Sequence, residues 1–116
     1  MFEIKSTKNK VKTGFSQQQT KRNNTMLLFN LIRKNSPISR IMMADATGLS
    51  ATTVSLQIED LIANNLVREI GEPEASARGR RPIMLEVNGT GGYFVLVEMT
   101  NTGLICHLYD LRYQHI

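Results

Sequence analysis

SPISRIMMADATGLSATTVSLQIEDLIAN, residues 36–64, is the stretch whose spacing decides the fold. Pro37 pushes Ser36 out of helical geometry, so Asn35-Ser36-Pro37 closes any helix that precedes it. Ser39 is a natural N-cap for a short helix over Arg40–Thr47, with Met43 and Ala44 turned inward and Ile38 buried just ahead of it. Gly48 sits at the position after that helix where a left-handed backbone is needed, and Leu49 plugs the turn. Ser50 then caps a third helix from Ala51 to about Asn64, on which Val54, Ile58, Leu61 and Ile62 form one narrow apolar stripe. Two helices joined by a short glycine turn are a helix-turn-helix arrangement. The far side of the third helix carries Thr52, Ser55, Leu56 and Glu59, with Leu56 almost opposite the stripe. Short hydroxyl side chains near a helix N-terminus can approach phosphates and base edges closely. An ordinary solvated helix face has the same composition.

Upstream, a first helix is predicted to begin between Ser16 and Asn24 and to run to Lys34. Leu28, Leu31 and Ile32 recur at helical spacing, and Leu27 and Phe29 widen the apolar face. Residues 1–15 hold Lys5, Lys8, Lys10 and Lys12 with little apolar content. They read as a basic flexible arm, either without a role or in contact with phosphates.

Downstream, Leu66–Ile70 reads as a strand ending at Gly71. Ile83, Leu85 and Val87 alternate with Met84 and Glu86, which predicts a second strand with one buried face. The loop between them is too long for a tight turn and ends in Arg78-Gly79-Arg80-Arg81-Pro82. Gly79 permits close backbone approach to a surface, and arginine is favoured where a narrow minor groove concentrates negative potential. Arg-Gly-Arg also resembles the core of minor-groove AT-hook peptides, here with an extra Arg before the proline. At the tip of a hairpin following a helix-turn-helix, this segment is expected to be a DNA-contacting wing.

The tail changes character. Gly89–Gly92 reads as a flexible linker, without the strand-to-helix context of a nucleotide loop. Tyr93–Met99 is nearly continuous apolar sequence, as in a strand buried on both faces, and Leu104–Leu111 is a second such strand after the turn at Thr100–Gly103. An isolated two-stranded hairpin is marginal in water. Residues 89–116 are therefore expected to be the start of a second, truncated domain.

Charge follows the same division. Residues 1–82 carry thirteen Lys and Arg against seven Asp and Glu, whereas residues 83–116 carry Arg112 against Glu86, Glu98 and Asp110. A basic front and a mildly acidic back suggest that only the front meets a polyanion, although a solvated basic surface would look alike. No apolar run approaches the ~20 residues of a membrane span, and the first residues lack the apolar core of a secretory signal, so a cytoplasmic protein is expected. Cys106 is the one cysteine and reads as a small core residue of its strand. His107 and His115 have no partners at metal-ligand spacing, so neither metal nor cofactor is expected. Met26, Met42 and Met43 read as core filling.

Ser36-Pro-Ile-Ser-Arg40, Thr47-Gly-Leu-Ser50, Thr53-Val-Ser55, Asp60-Leu61 and Arg78-Gly-Arg-Arg-Pro82, in this order and spacing, resemble the ROK family, which groups bacterial sugar-responsive repressors with sugar kinases. The resemblance runs from about Thr20 to Leu111 and is closest to the xylose-repressor type. It implies an α+β chain: a winged helix-turn-helix over residues 16–88, with three helices and a two-stranded wing, then the first β-hairpin of a truncated actin-like, kinase-like domain. It implies a DNA-binding transcriptional regulator, a repressor of sugar-utilisation genes and not an enzyme. Its partners would be double-stranded DNA, a second subunit in a full-length homodimer, and a sugar effector bound by the rest of the kinase-like domain. The DNA-contacting set would be Arg40, Ser50, Thr52, Thr53, Ser55, Leu56, Gln57, Arg78, Gly79, Arg80 and Arg81.

Two positions and one stretch depart from the family pattern. Met42 stands where relatives often carry Glu, so the reciprocal half of a capping box is absent. Leu56 stands where Arg or a polar residue is common. The kinase members open with Asp-x-Gly-Gly-Thr, whose glycines wrap a nucleotide phosphate, and here the stretch is Glu98-Met-Thr-Asn-Thr102. That last departure separates the leading reading from its first alternative, a fragment of a sugar kinase. The other alternative is a winged helix used for protein interaction, which would lack the steep salt dependence of DNA binding.

Overall fold

A computed structural model of the chain describes residues 16–71 and 82–116. The expected arm over residues 1–15 and the arginines at 78, 80 and 81 lie outside the described residues. In chain order the elements are α1 (Gln17–Asn35), β1 (Ile38–Ser39), α2 (Arg40–Thr47), α3 (Ala51–Ala63), β2 (Val67–Ile70), β3 (Met84–Val87), a single 3-10 turn (Gly89–Gly91), β4 (Tyr93–Thr100) and β5 (Gly103–Asp110). Three helices and two small antiparallel sheets make this an α+β fold.

Each helix starts on a serine whose hydroxyl takes up an otherwise unpaired backbone N–H. Ser16 accepts from the amide of Gln19 at 3.2 Å, Ser39 from Met42 at 3.2 Å and Ser50 from Thr53 at 3.1 Å. Each helix also ends for a local reason. Asn35 and Ser36 turn their side chains back onto the carbonyls of Leu31 and Ile32 at the foot of α1. Gly48 has φ 72° and donates its N–H to Ala44 O at 2.9 Å, closing α2. Asn65 adopts φ 61°, a left-handed conformation that Asn tolerates better than most residues, and Leu66 donates to Leu61 O at 3.0 Å to finish α3.

The core draws on all of these elements. Leu28 and Ile32 of α1, Ile38 of β1, Met43 of α2, Val54, Ile58 and Leu61 of α3, Val67 of β2, and Leu85 and Val87 of β3 form one buried cluster. Phe29, Leu31, Ala44, Leu49, Ile62 and Leu66 pack around it. Full burial of one such side chain is worth about 1.5–3 kcal/mol.

The first sheet has the order β1-β3-β2. Val67 faces Val87 and Ile70 faces Met84 across β2 and β3, while Ile38 faces Leu85 and Ser39 faces Met84 across β1 and β3. The sequence had marked Ile38 as buried but not as a strand residue. β1 leads straight into the cap of α2, so pairing with β3 fixes where α2 begins. Ile83, expected on the buried face, is 52% exposed because the ladder begins one residue later.

The second sheet is the β4–β5 hairpin, in register from Tyr93↔Asp110 to Thr100↔Gly103. Here two expectations are corrected. Every residue of β4 is exposed, and so is Cys106, because among the described residues little beyond the chain's last residues reaches the hairpin, with Tyr113 edge-on to Phe94 and His115 against Tyr109. Gly89–Gly92 is also no slack linker. The Asn88 side chain donates to Asn65 O at 2.9 Å, and Gly91 packs so closely on that carbonyl that a Cβ there would lie 1.9 Å from the oxygen. On the return from β5, Leu111 packs against the core, Arg112 Nε donates to Val87 O at 3.1 Å, and the Arg33 guanidinium lies 4.2 Å from the centre of the Tyr113 ring.

Candidate nucleic-acid interface

The face in question is the outer side of α3. Burial of Val54, Ile58 and Leu61 against α1 and the sheet fixes the rotation of the helix, and the same rotation sends Thr52, Leu56 and Glu59 outward. Leu56 is 63% exposed, Thr52 is exposed and Ser55 is half-buried beside them. Among the described residues, the hydroxyls of Thr52 and Ser55 have no hydrogen-bond partner within the chain. The outer face therefore offers two uncommitted hydroxyls and one large apolar side chain.

The remaining candidates are placed differently. Ser50 and Thr53 form the cap: the Ser50 hydroxyl accepts from the Thr53 amide and donates to Thr53 Oγ1 at 2.9 Å. Thr53 retains its own hydroxyl proton for an outside acceptor. Gln57 does not join the outer face. It is 7% exposed and is hydrogen-bonded to the Thr25 hydroxyl of α1, so burial at the seam between the helices takes it out of reach of a ligand on the outer side. Arg40 is tied down as well. Its Nη2 lies 3.0 Å from Glu59 Oε1 on α3 and 3.2 Å from Glu69 Oε1 on β2, with its side chain 22% exposed. Arg78, Gly79, Arg80 and Arg81 belong to the segment that joins β2 to β3 and lie outside the described residues.

Sequence reasoning missed two features of this surface. Both carboxylates of α3 are matched by cations from other elements: Glu59 by Arg40, and Asp60 by Lys21 of α1 at 3.0 Å. No local signal announces such pairs, which join residues far apart in the chain. On α2, Ile41 is 70% exposed and Met42, expected in the core, is 50% exposed. Helical spacing could have found them, since Met43 already occupies the inward position.

Among the described residues no group of His, Cys, Asp and Glu could hold a metal ion, and no helix is long and apolar enough to cross a membrane.

No family model matches the chain. It is 45% identical over 83 residues to the xylose repressor of Bacillus spizizenii, a match covering 72% of this chain and 21% of that protein. It is 43% identical over 83 residues to the xylose repressor of Bacillus subtilis, with the same shares covered. Among solved structures, the crystal structure of a ROK family transcriptional regulator, described as a homologue of the E. coli MLC protein, superposes with a TM-score of 0.68. The identity is 27%, over 84% of this chain and 24% of that one. The chain thus spans about a fifth of the length of the curated relatives it matches.

Proposed function

From a chain that matches the N-terminal part of ROK family transcriptional regulators of the xylose-repressor type, we propose sequence-specific binding of double-stranded DNA and repression of sugar-utilisation genes. Residues 16–88 act as a winged helix-turn-helix. α3 enters the major groove, where the Thr52 and Ser55 hydroxyls and the Leu56 side chain meet base edges, and Thr53 donates to a phosphate oxygen. The segment between β2 and β3 is the wing, with Arg78, Arg80 and Arg81 in the adjacent minor groove and on its phosphates. Residues 89–116 begin the kinase-like domain, through which a sugar effector acts and two subunits pair; the chain has no catalytic role.

One observation carries this reading: α3 is buried along one side and presents uncommitted hydroxyls near its N-terminus on the other. The test is a titration of the purified chain against duplex DNA at several salt concentrations. Replacing counterions on phosphates makes the logarithm of affinity fall linearly with the logarithm of salt concentration, by about 0.9 units for each phosphate neutralised. Exposure of Ile41, Met42 and Leu56 favours the second reading, a winged helix that docks on another protein. An affinity for DNA that is absent, or flat with salt, would select it.

A further inference from the structure

Glu59 is an awkward residue for a helix that meets DNA. It lies seven residues after Thr52 and three after Leu56, on the same outward face, with its side chain 66% exposed. Glu69, 46% exposed on β2, stands close by, since both reach the same arginine nitrogen. Two carboxylates at the rim of a polyanion-binding surface repel phosphate and one another. Arg40 is the group that answers both. It is the first residue of α2, its start fixed by the Ser39 cap and by the pairing of β1 with β3. From there its guanidinium spans to α3 at 3.0 Å and to β2 at 3.2 Å.

The geometry points to Arg40 as a positioning residue of the interface. It holds Glu59 and Glu69 back from the DNA and ties α3 to the strand that leads into the wing, and it does not itself contact phosphate or base. This rests on the DNA-binding reading above and assigns Arg40 a role different from the contact that the family resemblance implies. Arginine suits the task, because its planar fork stays charged and can serve two carboxylates at once. The arrangement also explains how α3 can carry acids on a face that approaches DNA.

The test compares four proteins: wild type, Arg40→Ala, the pair Glu59→Gln with Glu69→Gln, and the triple variant. Each is titrated against a duplex that wild type selects from a random pool and against a scrambled duplex, at several salt concentrations. Thermal unfolding checks that all four are folded. If Arg40 positions, Arg40→Ala weakens binding to the selected duplex by about tenfold, as expected when two acids are released toward the phosphates. The glutamine pair alone binds at least as tightly as wild type. The triple variant recovers to within about threefold of wild type, because the coupled groups are removed together. If Arg40 contacts phosphate directly, the triple variant stays as weak as Arg40→Ala and both lose about one unit of salt slope, which overturns the proposal. A wild-type protein that binds neither duplex fails the DNA-binding reading first and separately.

Discussion

The helical body and the β4–β5 hairpin are built from similarly apolar sequence and come to opposite ends. In the body, apolar side chains from six elements converge on one centre, and Leu28, Ile32, Val54, Ile58 and Leu85 are fully buried. In the hairpin, Val95, Val97 and Leu96 are each more than half exposed, and Met99 is 83% exposed. Apolar content therefore reports a demand for burial, and topology decides whether the demand is met. The body satisfies its own demand because three helices wrap a three-stranded sheet. The hairpin has two faces, and among the described residues Tyr113 and His115 cover only a small part of them.

Core substitution should separate the two regions most sharply. Ile58→Ala removes a fully buried side chain between α1 and the sheet. It should destabilise the body by about 2–5 kcal/mol, through lost burial and the cavity left behind. Val97→Ala, at a half-exposed apolar position in the hairpin, should cost far less. Chemical denaturation followed by helical circular dichroism measures both, and equal losses would show that the hairpin belongs to the cooperative core.

The junction between the regions should be the next most sensitive point. At Gly91 an added methyl group would collide with the Asn65 carbonyl, which is backbone and cannot rotate away. Gly91→Ala should cost about 1–3 kcal/mol, in the range of overpacking in a filled interior. The same change at Gly71, where nothing lies within 4 Å of the added atom, should be nearly silent. Similar melting temperatures for the two variants would mean that the contact at Asn65 yields.

These cases also show what the sequence could and could not convey. The helices were legible because their signals are local: a serine ahead of each, Gly48 between α2 and α3, and apolar spacing along α1 and α3. β1 was not, since two residues are too few for any periodicity and its strand character comes wholly from β3. Gln57, in the DNA-contacting set that the resemblance implies, falls between Val54 and Leu61 on the inward side, where its Oε1 accepts from the Thr25 hydroxyl. By composition the Gly89–Gly92 run reads as slack. The same lack of a Cβ that frees a chain also lets Gly91 press against Asn65, and composition cannot separate the two uses. At the candidate interface the outward trio on α3 was legible from helical phase. The pairing of Arg40 with Glu59 and Glu69 was not, because it joins residues 19 and 29 positions apart.

Within the body, α3 and the wing segment should fail in different ways. Thr52→Ala and Ser55→Ala should each cost discrimination between the selected and the scrambled duplex, about 1–3 kcal/mol at a contacted base pair, with little change in salt slope. Arg80→Ala should weaken binding to both duplexes alike and flatten the salt dependence by about one unit. Anisotropy titrations on both duplexes give the two quantities together. Unchanged affinities for Arg80→Ala would remove the wing from the interface and leave α3 to act alone.

The smallest expected effect on stability comes from the hairpin surface. Met99 and Leu104 face one another across β4 and β5 near the turn, 83% and 67% exposed. Neither contributes to the core, so Met99→Lys and Leu104→Thr should change the unfolding free energy by no more than about 0.5 kcal/mol, as is usual for surface substitutions. Their effect should appear in self-association instead. The hairpin presents apolar faces and, along β4, a strand edge unpaired among the described residues, whereas the β5 edge is met by the chain's last residues through Tyr109↔His115 and the Ile116 N–H on Leu108 O. β4 and β5 contain no lysine or proline to blunt pairing. A lysine at position 99 places a charge where a second copy would stack. Sedimentation of wild type and of the double variant across a range of concentrations should show association falling while the melting temperature stays in place. A drop in melting temperature without any change in association would reverse the contrast, making these side chains part of the fold and the hairpin a completed element.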